Sequence, residues 1–299
     1  MNIGVDICGI HFKNPVIAAS GTFGFGKEFA DYIDLNKLGG ICSKGLTLNK
    51  NLGNAGIRIH ETPSGIMNSI GLQNPGIEYF VNEELPFLLS KDTVTIANLG
   101  GHSIEDYVKG ASILEKTDVP MIELNISCPN VKEGGMAFGT NPIKASEVIS
   151  KVKKETKKPL IVKLSPNVGS ISDFSKLAED NGADAISLVN TFNAMAIDIN
   201  TKAPVFVNKT AGLSGPAIKP IALRMVYEAA HAVDIPVIGM GGIMDYKDAL
   251  EFIMAGASAI QVGTANFVDY NTMLDVALGI ENYLLENNIE DIKEITGII

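Results

Sequence analysis

The sequence predicts an α/β fold, a closed (β/α)8 TIM barrel. Eight short runs rich in Val, Ile and Leu recur along 299 residues, and stretches with apolar residues three and four apart separate most of them. Runs that are apolar on both faces suit parallel strands covered on either side by helices. They are PVIAAS (15–20), GGICSKG (39–45), TVTIANLG (93–100), MIELNIS (121–127), LIVKLSP (160–166), DAISLVN (184–190), IPVIGMGG (235–242) and SAIQVGT (258–264). Helical spacing covers 104–117, 142–157, 171–181, 219–232 and 245–255, with a last helix near 271–287. No Pro/Gly/Ser linker or shift of composition divides the chain, so residues 1–299 are expected to form a single domain.

The remaining segments are additions to the barrel. VDICGIHF alternates around Gly9 and predicts a hairpin plugging the barrel's bottom. A long connection, 46–75, follows the second strand, and a longer insertion, 191–218, separates the sixth from the seventh. Within it TKAPVFVNKTAGLSGP (201–216) reads as an extra hairpin over the mouth, where barrels build their active sites. The basic run KVKKETKKP (151–159) falls at a helix C-terminus, where cations complement the helix dipole. The tail 279–299 reads as a terminal helix packed on the barrel, with a part in a subunit contact as the alternative.

Composition removes several function classes. A formal net charge of −10 leaves no electrostatic footprint for nucleic acid. Cys8, Cys42 and Cys128 lie far apart without a C-x-x-C, so neither a disulfide framework nor a zinc or iron–sulfur site is encoded, and a reducing cytoplasm is expected. The N-terminus lacks the features of a signal peptide, and no stretch approaches the roughly 18 apolar residues of a membrane span. None of the four histidines falls at a strand end, there is no H-E-x-x-H, and acidic clusters for Mg²⁺ are missing, so no metal site is expected. The glycines of GTFGFG (21–26) have the wrong spacing for a dinucleotide fingerprint.

In a barrel of this kind the side chains at the C-terminal strand ends face the catalytic mouth. Here they are Ser20 and Thr22, Lys44, Asn98, Asn125 and Cys128, Lys163, Asn190 and Thr191, Gly241 and Gly242, and Gly263 and Thr264. The set is rich in amides and lysines and has no carboxylate pair. The glycines after strands seven and eight, with GLSGP (212–216), suit a phosphate, because small residues let backbone N–H groups close around it. Lys163 lies in an apolar strand, where burial demands a charge partner, and with Lys44 it points to an anionic ligand. A desolvated lysine is also a carbonyl nucleophile, which leaves a Schiff-base lyase as a competing reading. Cys128 follows a polar strand end on a loop with Pro129, a setting for a reactive thiol rather than a packed one. Nucleophile and proton acceptor are both open to it.

Four motifs together resemble a known family: N-x-S-C-P-N from Asn125 to Asn130, MNSIGLQNPG (67–76), ASGTFGFG (19–26) and GMGGI (239–243). They resemble class 1 dihydroorotate dehydrogenases, flavoenzymes of pyrimidine biosynthesis, and the likeness runs nearly end to end. NISCPNVKEGGMAFGTNP (125–142) is similar to the B type, whose FMN-containing catalytic subunit pairs with an FAD- and [2Fe-2S]-containing subunit to deliver electrons to NAD. The resemblance implies a homodimer of catalytic subunits within a heterotetramer. It also implies that Ser20, Lys44, Gly45, Asn98, Asn125, Lys163, Val189, Gly215, Gly241, Gly242, Gly263 and Thr264 surround FMN. Dihydroorotate would be held by Lys44, Asn68, Ser69, Ile70, Gly71, Leu72, Asn125, Asn130, Asn190 and Thr191.

The chemistry agrees with these roles. Dihydroorotate is a cyclic ureide with a carboxylate, so asparagines can match its donors and acceptors and Lys44 its charge. Lys163 at the flavin pyrimidine edge would stabilise charge arriving on reduction. Oxidation removes a proton from C5 and a hydride from C6 to flavin N5, which assigns Cys128 the role of base under a lid at 129–140 carrying Gly134, Gly135 and Gly139. Alternatives within this resemblance are an A-type homodimer reducing fumarate and a flavin-dependent reductase of uracil-like pyrimidines. A flavin-free lyase using Lys163 and a ligand-binding scaffold lie outside it.

Overall fold

The computed structural model of the protein describes residues 1–127 and 138–299. It opens with an antiparallel hairpin, β1 (Val5–Ile7) and β2 (Ile10–Phe12). Cys8 and Gly9 turn it at φ values of 53° and 79°, the paired left-handed conformations of a two-residue type I′ turn. The chain then lays down β3 (Val16–Ala18), β4 (Gly40–Cys42), the antiparallel pair β5 (Ile59–Thr62) and β6 (Gly65–Asn68), β7 (Val94–Leu99), β8 (Met121–Asn125), β9 (Leu160–Lys163) and β10 (Ala185–Leu188). There follow β11 (Phe192–Met195), β12 (Ile197–Asp198), β13 (Ala203–Pro204), β14 (Thr210–Ser214), β15 (Val237–Met240) and β16 (Ala259–Val262).

Eight parallel strands close the barrel in the order β3-β4-β7-β8-β9-β10-β15-β16, and each lies within one of the eight apolar runs. The helices fall where the spacing places them: Ile104–Glu115, Pro142–Glu155, Ile171–Asp180, Lys219–Ala230, Tyr246–Met254 and Thr272–Glu286. Side-chain caps mark several starts, with Ser103, Asn141, Ser170 and Asp245 each accepting a backbone N–H of the first turn. Lys153 and Lys154 occupy the last turn of Pro142–Glu155, as the dipole favours. The tail docks through Ile292 and Ile295, which belong to the main core. Among the described residues no helix is long and apolar enough to cross a membrane.

One helical segment escapes the periodicity. After β6 the chain runs Ile77–Tyr79, then a π-helical turn Phe80–Glu84, then Leu85–Leu89. The wider turn sets Phe80 and Leu85 five residues apart although both are buried, and the 3.6-residue pattern breaks there. The expected hairpin over the mouth also differs. Its strands are β11, which lies ahead of the predicted 201–216 stretch, and β14, which lies inside it, and β14 pairs in turn with β6 and β6 with β5. The two long connections thus share one four-stranded sheet, β11-β14-β6-β5.

The β1–β2 hairpin lies at the opposite end, where the barrel strands begin. Phe12 is fully buried, and a Cβ on Gly40 at the start of β4 would lie 3.0 Å from its ring. The Cys8 thiol donates to the Asp184 carbonyl just ahead of β10 (3.2 Å).

Candidate active site

Several buried polar side chains inside the barrel, among them Asn98, Asn125, Lys163 and Gln261, open on its mouth. One pocket there is lined by every residue expected around the flavin. Ser20 follows β3, Lys44 and Gly45 follow β4, Asn98 comes from β7, and Asn125 and Lys163 end β8 and β9. Val189 follows β10, Gly215 follows β14, Gly241 and Gly242 follow β15, and Gly263 and Thr264 follow β16. β6 and the segment after it add Asn68, Ile70, Gly71 and Leu72 to the lining, and the turn between β10 and β11 adds Asn190 and Thr191. Ser69 does not reach the lining: it is buried and its hydroxyl accepts from Asn54 Nδ2 at 3.1 Å. Cys128 and Asn130, with Gly134 and Gly135 of the expected lid, lie outside the described residues.

The glycines have separate reasons. Gly241 and Gly242 adopt φ of 133° and 77°, and a Cβ on either would press into Ala222 (2.6 Å) or the Gly215 carbonyl (2.8 Å). A Cβ on Gly263 would have nothing nearer than 3.7 Å, so its bare backbone lies open to the pocket. Among the described residues no backbone acceptor takes the N–H groups of Gly241, Gly242 and Gly263. Backbone donors on glycines that line one pocket fit a phosphate. Beside them the Thr264 hydroxyl donates to Ser214 Oγ (2.9 Å), tying the end of β16 to β14.

The pocket floor holds a charge absent from the strand-end set. Glu123, in the middle of β8, is fully buried within the barrel. Its Oε1 accepts from Asn98 Nδ2 (2.6 Å) and the Cys42 thiol (3.2 Å), and its Oε2 from Ser187 Oγ (2.8 Å) and Gln261 Nε2 (2.8 Å). Lys163 Nζ stands 3.6 Å from Oε1 and 3.4 Å from Ser20 Oγ. The charge partner that burial demands for Lys163 is therefore this carboxylate, inside the protein. Burial alone would push the Glu123 carboxyl up, but the Lys163 ammonium and the bonds from Gln261, Ser187 and Cys42 outweigh it and hold the group below the ordinary carboxylate range. Burial first, and the Glu123 charge second, push the Cys42 thiol well above its ordinary value.

Glu123 lies two residues before Asn125, on the same face of the strand. That alternation is the signal a search confined to strand ends passes over. Above the floor the asparagines are wired together. Asn125 Nδ2 donates to Asn98 Oδ1 (3.4 Å), Asn190 Nδ2 to Asn125 Oδ1 (3.4 Å) and Ser127 Oγ (2.7 Å), and the buried Tyr107 hydroxyl to the Asn125 carbonyl (2.9 Å). Amides, two lysines and a glycine cradle suit a planar anionic ring system next to a phosphate. Among the described residues no group of His, Cys, Asp and Glu side chains is placed to hold a metal.

Comparison with known proteins gives the same direction. Residues 2–284 match the family described as dihydroorotate dehydrogenase. Proteins named "Dihydroorotate dehydrogenase B (NAD(+)), catalytic subunit" resemble the chain along its whole length. That of Petrotoga mobilis is 61% identical over 295 residues, 99% of this chain and 98% of the relative. That of Thermoanaerobacter pseudethanolicus is 58% identical over 297 residues, again 99% and 98%. That of Bacteroides thetaiotaomicron is 54% identical over 299 residues, 100% of this chain and 99% of the relative.

Proposed function

The chain belongs to the dihydroorotate dehydrogenase family, and from that membership we propose that it oxidises (S)-dihydroorotate to orotate in pyrimidine biosynthesis, as the FMN-bearing catalytic subunit of an NAD-linked enzyme. The observation that carries this is the meeting, on one pocket, of Lys44, Lys163, the asparagines 68, 98, 125 and 190, and the glycine cradle after β15 and β16. We take residues 1–299 as a single functional barrel.

In this reading Gly215, Gly241, Gly242, Gly263 and Thr264 hold the ribityl phosphate, and Ser20, Gly45, Asn98, Lys163 and Val189 surround the ring. The flavin supplies a two-electron acceptor. Lys44 pairs with the carboxylate of dihydroorotate, while Asn68, Asn125, Asn130, Asn190 and Thr191 match the N–H and C=O groups of the ureide. Ser69 contributes through its place in the 68–72 segment. The C5 proton goes to the Cys128 thiolate, and closure of the 129–140 segment would exclude water from the reacting face. Lys163 carries positive charge to where negative charge develops, held in advance by Glu123.

Electrons leave through another subunit, which we propose carries FAD and a [2Fe-2S] cluster. The relatives are named as catalytic subunits, and the three dispersed cysteines of this chain offer no cluster ligation. Two catalytic subunits would pair within a heterotetramer.

The test is an anaerobic absorbance spectrum of the purified chain before and after addition of dihydroorotate. A yellow protein that bleaches is expected. One that stays yellow would overturn the substrate, and a colourless protein that FMN cannot reconstitute would overturn the cofactor and restore a Lys163 lyase.

A further inference from the structure

The strands β4, β8, β10 and β16 alternate around the barrel and contribute Cys42, Glu123, Ser187 and Gln261 to one interior layer. Such layers are usually filled by branched apolar residues. Here the carboxylate sits at the centre and every neighbour turns a donor toward it. An ionised carboxylate only accepts, so each amide touching it must present NH2, whatever its other end then meets. Gln261 shows that this demand prevails: its Nε2 faces Glu123, while its buried Oε1 has no hydrogen-bond partner among the described residues. Leaving an acceptor unmatched is costly, so the orientation is set by the carboxylate.

The same demand runs upward. Asn98 gives its NH2 to Glu123 and must turn Oδ1 to the pocket, Asn125 must meet that oxygen with NH2, and Asn125 Oδ1 is left to accept from Asn190 and from Ser127. We propose that Glu123 is a positioning residue that fixes the donor and acceptor polarity of Asn98, Asn125 and Asn190, and through them the register in which a cyclic ureide or imide edge is read at the mouth. This rests on the flavin and dihydroorotate reading for the identity of the ligands. It assigns the direction of recognition to a residue that touches neither.

The test is a substitution cycle on the holoenzyme. Glu123→Gln keeps the shape but offers NH2 to Asn98, so the relay inverts. Asn98→Asp in the wild-type background sets two acceptors face to face. In the double variant the amide introduced on β8 donates to the carboxylate introduced on β7, which then accepts from Asn125, and the relay above is restored. Orotate affinity, read from the shift it causes in the flavin spectrum, should fall at least tenfold in Glu123→Gln and recover most of that loss in the double variant. Flavin content after dialysis should likewise be higher in the double variant than in Asn98→Asp alone.

A merely structural layer predicts the opposite pattern: melting temperature falls with each change, both losses add, and orotate affinity of the folded holoenzyme stays within twofold. Wild-type orotate affinity in Glu123→Gln, or a double variant no better than Asn98→Asp alone, overturns the proposal. If Glu123→Gln does not fold, the comparison of Asn98→Asp with the double variant still decides. A wild type that keeps its flavin yet is not bleached would sink the substrate reading, and flavin retention in the cycle would still decide this one.

Discussion

Two antiparallel additions sit at opposite ends of the same parallel barrel, and they do different work. The β1–β2 hairpin at the bottom turns in two residues and buries Val5, Ile7 and Phe12 in the main core. The β11-β14-β6-β5 sheet at the mouth buries little, Met67, Ala211 and Phe206 forming a small cluster of their own, and offers Asn68 and Ser214 to the pocket. Hydrophobic burial is non-directional, so a plug needs only to fit. A binding wall needs polar groups held in place, which takes backbone pairing between two loops. Conservative changes at the bottom should therefore act on stability and changes at the mouth on turnover.

The largest test of that division is Cys128→Ala. Removing the proposed base should lower the rate of flavin reduction by dihydroorotate about 10²- to 10⁴-fold. Flavin content and melting temperature should not change, and loss of flavin along with activity would count against the assignment. In the wild type the same rate should climb toward alkaline pH, since the proposed base would act as its thiolate and a thiol's ordinary pKa is about 8.5.

Next is Phe12→Ala, which opens a cavity under the barrel and should cost about 3–5 kcal/mol of unfolding free energy by urea titration. The Michaelis constant for dihydroorotate should be unmoved, and a change in it would mean that the plug communicates with the mouth.

The smallest is a labelling count. Burial first and the Asp184 charge second push the Cys8 thiol up to about 11, and burial followed by the Glu123 charge pushes the Cys42 thiol well above its ordinary value. Both remain neutral thiols at neutral pH, because a raised pKa favours the protonated form until pH climbs past it. Iodoacetamide at neutral pH should accordingly mark one cysteine of three, Cys128, as mass spectrometry of peptides would reveal. Modification of Cys42 without unfolding would break the description of the floor.

Much of this was legible from the residues alone. The eight strands announce themselves because parallel strands buried on both faces must be apolar along their length. The mouth residues follow from where those strands stop. The segment 77–89 did not, because a π-turn shifts its period, and the pairing of β6 with β14 did not, because nothing in either loop names a partner more than a hundred residues away. Glu123 was hidden by being one layer below the strand ends, inside an apolar run where a single charge reads as an exception. Lys163 shows the difference: an ammonium in an apolar strand calls for a counter-charge, which the residue pattern places on a ligand and the structure places on Glu123.

The shared loop sheet bears on how such a barrel could be re-engineered. With β6 wedged between β5 and β14, neither the 46–75 connection nor the 191–218 insertion is a self-contained module. Transplanting one loop from a relative would leave a sheet edge without its mate, so the portable cassette is the pair, moved together with the spacing between their anchor strands.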